Sequence, residues 1–182
     1  MKPAHLRAAP RSAAKGILVA VLTLGLVPAS VAAAPHAPPV PQRPDFSGTW
    51  RLDPAASEIV AEEGLAGLGG AAPEWLHITQ ARNGALILSS RVNGAQPRFY
   101  MIGGENELPA PGGELERMTI ATAWDGDSLV STGSTEYEGA PYEVREVMSR
   151  SADGATLRLQ VTTRRGEQTI TNLLVYEAAA GG

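Results

Sequence analysis

Short runs in which apolar and polar residues alternate recur from position 46 to position 176, separated by residues typical of tight turns. Alternation with period two indicates a strand with one buried face, and Asn-Gly or Asp-Gly between two such runs indicates a β-hairpin. The pattern predicts about nine strands in an all-β domain. They are Phe46–Leu52, Trp75–Ala81, Ala85–Val92, Arg98–Ile102, Glu116–Trp124, Leu129–Tyr137, Tyr142–Arg150, Thr156–Thr163 and Gln168–Tyr176.

The connections between these runs are mostly short, which favours an antiparallel up-and-down meander. A meander of this length leaves two unpaired edges unless it closes on itself, so we expect a barrel of about 8–10 strands. After the first strand, Asp53-Pro54 is typical of a helix start and Gly64 of a helix stop. One short helix is therefore expected at Ala55–Glu63, followed by a loop at Leu65–Ala72.

The alternation also predicts which side chains face the core. Leu76 and Ile78 of one predicted strand are expected to face Leu86 and Leu88 of the next. Two later strands each present an apolar row on one face. These rows are Met118, Ile120 and Trp124, and Leu157, Leu159 and Val161.

The first 34 residues have the composition of a cleavable secretory signal. They are basic without any acid, and an uncharged run, 16–27, is followed by Pro28 and small residues. That run is much shorter than the roughly 20 residues that span a bilayer, so we expect no stable membrane anchor. Cleavage is predicted after Ala34, with Ala32 as the alternative, and the protein is expected to be periplasmic or extracellular.

The rest of the chain divides into three predicted parts. Residues 35–44 form a proline-rich linker, 45–177 the barrel domain and 178–182 a flexible tail. The chain contains no cysteine, which rules out acylation at a cysteine, disulfides, zinc–thiolate sites and thiol catalysis. The domain must therefore be stabilised by its hydrophobic core.

The charge of the processed chain limits its partners. The signal holds four of the 15 basic residues and none of the 19 acidic ones, which leaves 11 arginines and a net charge of −8. A domain this acidic repels phosphate backbones and anionic lipid surfaces, so nucleic acid is not an expected partner. The simplest role of the charge is to keep an exported protein soluble.

Two features carry a resemblance to known families. Gly48-Thr49-Trp50 resembles the G-x-W motif of lipocalins, which implies a tryptophan at the closed end of the barrel beneath an arginine from a late strand. Arg158, Arg164 and Arg165 are the candidates for that arginine.

The second resemblance covers nearly the whole processed chain. The segments DFSGTWRLDPAASE, LHITQ, ATAWDGDSLV and MSRSADGATLRLQV are similar to a family of small exported bacterial lipocalin-like proteins of the calycin type. The resemblance implies fold and export but no activity. The chain departs from the family at Ala61–Ala72, a long insert. In lipocalins this connection often covers the open mouth, but its Gly/Leu-rich composition equally suits a surface loop.

Candidate catalytic and metal-binding residues are few. His77 is the one histidine inside the predicted domain, on the strand face opposite Leu76 and Ile78, where a surface role is expected. Asp125 and Asp127 flank a glycine, as hairpin turns commonly require. The glycine-rich segment 64–70 lacks the Lys-Ser/Thr of a phosphate loop. We therefore predict no catalytic residues, no cofactor, no metal and no enzymatic activity.

Ligand binding is the preferred hypothesis, and it rests on the fold. Trp50, Phe99, Met101 and Trp124 are the candidate ligand-binding residues, although core packing accounts for the same side chains. The expected partner is a small apolar or amphipathic molecule. A protein-interaction module with a filled barrel is the alternative, and an enzyme comes last. An open cavity of about 300 Å3 or more favours binding, whereas Glu146 and Arg158 turned inward beside His77 would favour an enzyme.

Overall fold

The structure is a computed structural model that describes residues 43–68, 70–91, 94–111 and 113–179. The predicted signal peptide and most of the proline-rich linker lie outside the described residues. The described chain forms ten strands and one 3-10 helix, Glu62–Leu68. The strands are β1 (Gly48–Leu52), β2 (Trp75–Ala81), β3 (Gly84–Arg91), β4 (Gly94–Met101), β5 (Gly104–Ala110), β6 (Gly113–Asp125), β7 (Ser128–Tyr137), β8 (Ala140–Arg150), β9 (Thr156–Arg165) and β10 (Gln168–Ala178).

All ten strands belong to one antiparallel sheet that wraps into a nearly closed barrel. Its order is β4-β3-β2-β1-β10-β9-β8-β7-β6-β5, and β1 pairs with both β2 and β10. The sheet ends at β4 and β5, which are consecutive in the chain. The predicted up-and-down meander is therefore confirmed.

The two end strands face each other across a gap that lacks a regular ladder. The side chain of Asn106 on β5 crosses it: its amide oxygen accepts from the Met101 nitrogen at 2.9 Å and its nitrogen donates to the Phe99 carbonyl at 2.6 Å. Pro97 on β4 and Pro109 on β5 have no N–H to offer an incoming strand. Prolines on end strands are a common protection against edge-to-edge aggregation.

β5 is a strand that the sequence pattern did not predict. Its sequence, GENELPA, alternates only weakly because Gly104 and Pro109 interrupt it. It pairs along its length with β6, and Leu108 packs into the core opposite Met118. The count of ten strands is the upper end of the predicted range.

The short helix lies later in the chain than predicted. Asp53 Oδ1 accepts from the nitrogens of Ala55 and Ala56, as a cap would, but only a turn follows. Glu58 then exchanges two 2.8 Å backbone hydrogen bonds with Leu173 of β10, which ends any helix there. The prediction of a helix at Ala55–Glu63 is wrong, and the 3-10 helix lies largely in the segment predicted as a loop.

The core confirms three of the predicted rows and corrects one. Leu76 and Ile78 are buried, as are Met118 and Ile120, and Leu157, Leu159 and Val161. On β3, however, the register pairs Ile78 with Ile87. Leu86 is 39% exposed and Leu88 lies on the same outer face, so the inner row is Ala85, Ile87 and Ser89. The two-residue turn at Arg82 and Asn83 places Ala81 opposite Gly84 and so sets this register.

One end of the barrel is closed by aromatic packing. Phe46 and Trp50 are buried, and the Phe46 ring stacks on Trp124 with the ring centroids 5.7 Å apart. Arg150 lies over the Trp50 ring, 5.4 Å from its centroid. The arginine above Trp50 is therefore one outside the predicted set.

The three predicted arginines are wrong for reasons of strand geometry. The inward residues of β9 are Leu157, Leu159, Val161 and Thr163, so Arg158 and Arg164 point outward. Arg165 has the inward parity but lies at the other end of β9, over Tyr137. Arg150 ends β8 with the same parity as the buried Met148, next to the closed end.

Candidate functional site

A polar cluster lies inside the barrel, between strands on opposite walls. Arg98 Nη2 of β4 donates to Glu146 Oε1 of β8 at 2.8 Å. The Tyr100 hydroxyl donates to Glu146 Oε2 at 2.7 Å. All three residues are at most 4% exposed. Both carboxylate oxygens of Glu146 are therefore engaged.

Strand alternation places these residues inside. On β4, Arg98 and Tyr100 point inward while Pro97, Phe99 and Met101 point outward. On β8, Glu146 shares the inner face with Val144 and Met148. Sequence reasoning considered an inward Glu146 only together with Arg158 and His77, and did not predict its pairing with Arg98 and Tyr100. Alternation along β8 could have revealed the inward side chain, because Glu146 lies two residues from both Val144 and Met148 and so points to the same side of the strand.

The cluster holds its protons firmly. Burial alone would lower the pKa of Arg98, but the negative charge of Glu146 and the nearby tyrosines raise it on balance. Burial raises the pKa of Tyr100 well above its usual value, with Arg98 opposing the shift. Neither group exchanges a proton near neutral pH, so the arrangement favours hydrogen bonding over acid–base chemistry.

Arg98 retains hydrogen-bonding capacity. Its Nε and Nη1 are buried and have no hydrogen-bond partner among the described residues. A small cavity of about 10 Å3 lies beside Tyr100, Ser131 and Glu146. That volume is close to the minimum for one water molecule, so the interior at this depth is nearly filled by side chains. Buried polar groups normally have partners, so an acceptor oxygen would complete the hydrogen bonding of Arg98. Arg98 itself lines neither this cavity nor the larger one near the 3-10 helix.

A larger cavity opens at the other end of the barrel from Trp50, near the 3-10 helix. Its volume is about 230 Å3. Tyr142 lines this cavity and lies on the inner row of β8, four residues before Glu146, so it lies between the cavity and the polar cluster. We call this larger cavity the mouth cavity. Its lining residues are Glu63, Tyr137, Glu138, Tyr142, Thr163, Arg165, Gln168 and Ile170.

The 3-10 helix is fastened over β10 beside the mouth cavity. Asn172 is fully buried, and its Oδ1 accepts from the nitrogens of Val60 and Ala61 at 2.7 and 3.2 Å. Its Nδ2 donates to the Ala61 carbonyl at 2.9 Å. Gly64 packs so closely that a Cβ there would lie 2.5 Å from Ile170 Cγ2. One side chain thus holds the segment that leads into the helix.

The four predicted ligand-binding residues do not come together. Trp50 and Trp124 belong to the closed end, whereas Phe99 and Met101 lie on the outer face of β4 and are 46% and 42% exposed. None of the four lines either cavity. Phe99 and Met101 point outward because side chains alternate along β4, and Arg98 and Tyr100 occupy its inward positions.

The other candidates lie at the surface. His77 is exposed, with Nδ1 3.0 Å from the Thr49 hydroxyl, and Arg158 points outward, so neither joins Glu146. Asp125 and Asp127 lie in the exposed β6–β7 turn, where Gly126 has a φ of 58°. Among the described residues no three His, Asp or Glu side chains are grouped as a metal site would require. Within the same ranges, no helix has the length and hydropathy needed to span a bilayer.

Solved structures with the same architecture show which fold this is. A zebrafish ileal bile acid-binding protein, solved in complex with cholic acid, has a TM-score of 0.53 at 14% identity, over 74% of this chain and 98% of its own. Human cRBP IV has a TM-score of 0.54 at 18% identity, over 75% of this chain and 99% of its own. The fold is that of the calycins. The lipocalin-like barrel expected from the sequence is thereby confirmed.

The comparisons extend no further than the calycin fold. No protein-family model matches the sequence, and no curated protein matches it either. At these identities the likeness establishes architecture, while function depends on the residues of the site.

Proposed function

We propose that this calycin barrel binds a small molecule with an apolar body and a neutral hydrogen-bond acceptor, without enzymatic activity. The observation that carries the proposal is the buried guanidinium of Arg98, whose Nε and Nη1 have no partner among the described residues. An acceptor oxygen on a ligand would satisfy these donors, which are costly to leave unpaired. The apolar body would lie towards the mouth cavity, with Tyr142 between the two ends of the ligand.

Glu146 determines the charge that the ligand should have. Its carboxylate already neutralises Arg98 at 2.8 Å. A second carboxylate on the guanidinium would leave a net negative charge in a nearly dry interior, which is strongly unfavourable. A carbonyl, ester or hydroxyl oxygen adds no charge. The site therefore favours neutral acceptors over anions.

The size of the cavities sets the size of the ligand. The mouth cavity of about 230 Å3 is smaller than the 300–1,000 Å3 or so of typical ligand pockets. The inner cavity of about 10 Å3 admits no more than a single oxygen-sized group unless side chains move. A short-chain or single-ring molecule fits better than a long lipid. The zebrafish protein with the same fold was solved with cholic acid, an amphipathic molecule, which supports binding of an amphipathic small molecule as a class.

A comparison of matched probes tests the proposal. Methyl octanoate and octanoate differ in charge at the same chain length, and each can displace the neutral fluorophore N-phenyl-1-naphthylamine. We expect the ester to bind more tightly to the natural chain. Glu146→Gln should increase octanoate affinity about tenfold or more, because it removes one buried negative charge.

Glu143→Gln is the matched control for Glu146→Gln. It lies on the same strand but points outward, where it pairs with Arg164 at an exposed position. It should leave both affinities unchanged. Tighter binding of octanoate than of the ester by the natural chain, or no binding of either probe, would contradict the proposal.

The nearly filled interior supports a second candidate function. An interaction module needs no cavity, and the exposed apolar side chains of Leu86, Phe99 and Met101 are available to a partner. The displacement assay separates the two candidates, since an interaction module binds neither probe.

For localisation we propose export through the cleavable signal peptide, to the periplasm or the medium. The order of a basic stretch followed by an apolar one within residues 1–34 supports this proposal.

A further inference from the structure

The rim of the mouth cavity carries more negative than positive charge. Glu63 of the 3-10 helix and Glu138 of the β7–β8 turn line it, and Arg165 at the end of β9 is the one cation among its described lining residues. Glu167 lies in the β9–β10 turn, between the lining residues Arg165 and Gln168. An ionised group of a ligand at this rim would therefore meet an acidic surface.

The positive charge of Arg165 is already engaged. Its Nη2 pairs with Glu138 Oε2, and its guanidinium lies 5.0 Å from the centroid of the Tyr137 ring. A carboxylate and a tyrosine face thus hold a cation at this rim. Glu63 is different, because no basic side chain among the described residues forms an ion pair with it. Its carboxylate is left available for a positive group of a ligand.

Two tyrosine rings complete the surroundings of that carboxylate. Tyr137 and Tyr142 both line the cavity, with their ring centroids 6.1 Å apart and their planes at 80°. Aromatic faces and carboxylates both attract an ammonium group, the first through the ring quadrupole and the second through its charge. A carboxylate on the ligand would instead face the like charges of Glu63 and Glu138.

We propose that the small molecule bound by this barrel carries an ammonium group at the end that lies in the mouth cavity. The inference rests on the proposed function: the neutral acceptor would lie inward, towards Arg98, and the ammonium would lie beside Glu63. Glu63 is exposed, so the ammonium keeps part of its hydration and little desolvation opposes binding. Attractions between exposed charges are small, so the preference for a cation is modest and sensitive to salt.

The distance between the two ends of the ligand sets the length of the probes. Tyr142 and Glu146 are four residues apart on β8, which is about 13 Å along an extended strand. An eight-carbon chain with a functional group at each end has a comparable length. Methyl 8-aminooctanoate, methyl 8-hydroxyoctanoate and monomethyl octanedioate share the methyl ester and carry an ammonium, a hydroxyl and a carboxylate at the other end.

Displacement of N-phenyl-1-naphthylamine at neutral pH and low salt tests the proposal with these three esters. We expect the ammonium ester to bind about fivefold more tightly than the hydroxyl ester, and the carboxylate ester to bind most weakly. The differences should shrink in about 0.5 M sodium chloride, because salt screens exposed charges. The shared ester reports on the proposed function, and the variable end reports on the mouth cavity.

Two variants should change the preference in opposite directions. Glu63→Gln should weaken binding of the ammonium ester about threefold and leave the hydroxyl ester unchanged, because it removes one attractive charge. Arg165→Gln should strengthen binding of the ammonium ester about threefold, because it removes a repelling charge and leaves Glu138 unpaired. A merely structural role of either residue would move both esters together.

The rim offers a matched control for each variant. Glu62→Gln changes the neighbouring exposed acid of the 3-10 helix, which does not line the cavity. Arg164→Gln changes the arginine next to Arg165, which pairs with Glu143 at an exposed position. Both should bind the three esters like the natural chain, and circular dichroism verifies folding.

Four outcomes would overturn the inference. If the hydroxyl ester displaces the fluorophore and the ammonium ester binds no more tightly, the inference fails while the proposed function stands. Tightest binding of the carboxylate ester would assign the rim to an anion held by Arg165. Equal effects of Glu62→Gln and Glu63→Gln would assign the preference to the overall charge of the chain. Displacement by none of the three esters would overturn the proposed function as well.

Discussion

Arg98 and Glu146 form a buried ion pair whose removal has asymmetric consequences. Each charge lost water on folding, and their mutual attraction largely offsets that loss. Replacing one partner leaves the other charge buried and uncompensated. Replacing both removes the need for compensation. The pair as a whole therefore adds little net stability, whereas the loss of one partner alone is costly.

We expect Arg98→Met to lower the free energy of unfolding by about 3–5 kcal/mol, because Glu146 would keep only the Tyr100 hydroxyl as partner. The double variant Arg98→Met/Glu146→Leu should recover most of that loss. Urea denaturation at neutral pH measures both. A double variant as unstable as the single one would contradict the account.

Tyr176 gives a prediction about alkaline pH. Burial raises its pKa above the usual tyrosine value, and burial does the same for Tyr100. A folded-state pKa above the unfolded one means that the folded state holds its proton more tightly. Stability is therefore constant below about pH 10 and falls as pH rises further.

Tyr176→Phe should reduce this alkaline fall. At neutral pH it should be neutral or stabilising by up to about 1 kcal/mol, since the buried hydroxyl has no hydrogen-bond partner among the described residues. Tyr100→Phe is the comparison: it should also reduce the alkaline fall but lose stability at neutral pH, because its hydroxyl binds Glu146. Thermal unfolding from pH 7 to 11 distinguishes them. An unchanged alkaline fall in Tyr176→Phe would contradict the assignment.

At the scale of elements, one buried side chain of β10 fastens the backbone that leads into the 3-10 helix, in addition to the Glu58–Leu173 backbone pair and the buried leucines of the helix. Asn172 makes three hydrogen bonds to the backbone of Val60 and Ala61, and a buried amide is hard to replace there. The helix itself is short and has no basic residue in its last turn. Its position beside the mouth cavity is therefore set both by β10 and by its own buried Leu65 and Leu68.

Asn172→Ala should loosen the segment Glu58–Leu68 without unfolding the barrel. We expect amide hydrogen exchange in that segment to accelerate at least about tenfold, because two backbone N–H groups lose their acceptor. Thr171→Ala, an outward change on the same strand, is the control and should leave exchange in the segment unchanged. Uniform acceleration in all strands would instead indicate global destabilisation.

At the scale of the whole molecule, the predicted export shapes the final charge. Removal of residues 1–34 takes four positive charges and no negative one, so the processed chain carries −8 in place of −4. A net negative charge favours solubility.

Expression of the full chain in a secretion-competent bacterial host should yield a protein that begins at Pro35, with Ala33 as the alternative start. Intact-mass measurement of the purified protein reads out the start directly. Lys15→Glu weakens the basic region before the apolar run and should slow processing. A chain that retains Met1 in the natural form would contradict the export proposal.

Sequence alone predicted the features that depend on local geometry. Period-two alternation and glycine-containing turns identified nearly all strands, and short connections identified the meander, because both reflect the backbone of neighbouring residues. β5 was missed since Gly104 and Pro109 weaken its alternation. The register of β3 was missed because one residue of turn length exchanges the two faces of a strand.

The site itself depended on contacts that form only after the barrel closes. Parity shows that Arg98 and Glu146 point inward, but no local pattern places β4 opposite β8, 48 residues away. The same holds for Arg150 above Trp50 and for Asn172 beneath the 3-10 helix. The chain therefore determined by itself an all-β meander, whereas the export signal at residues 1–34 stays a prediction. Only the tertiary structure decided which polar groups meet in the interior. Closure of the barrel brings side chains of opposite walls together, whatever their separation in the sequence.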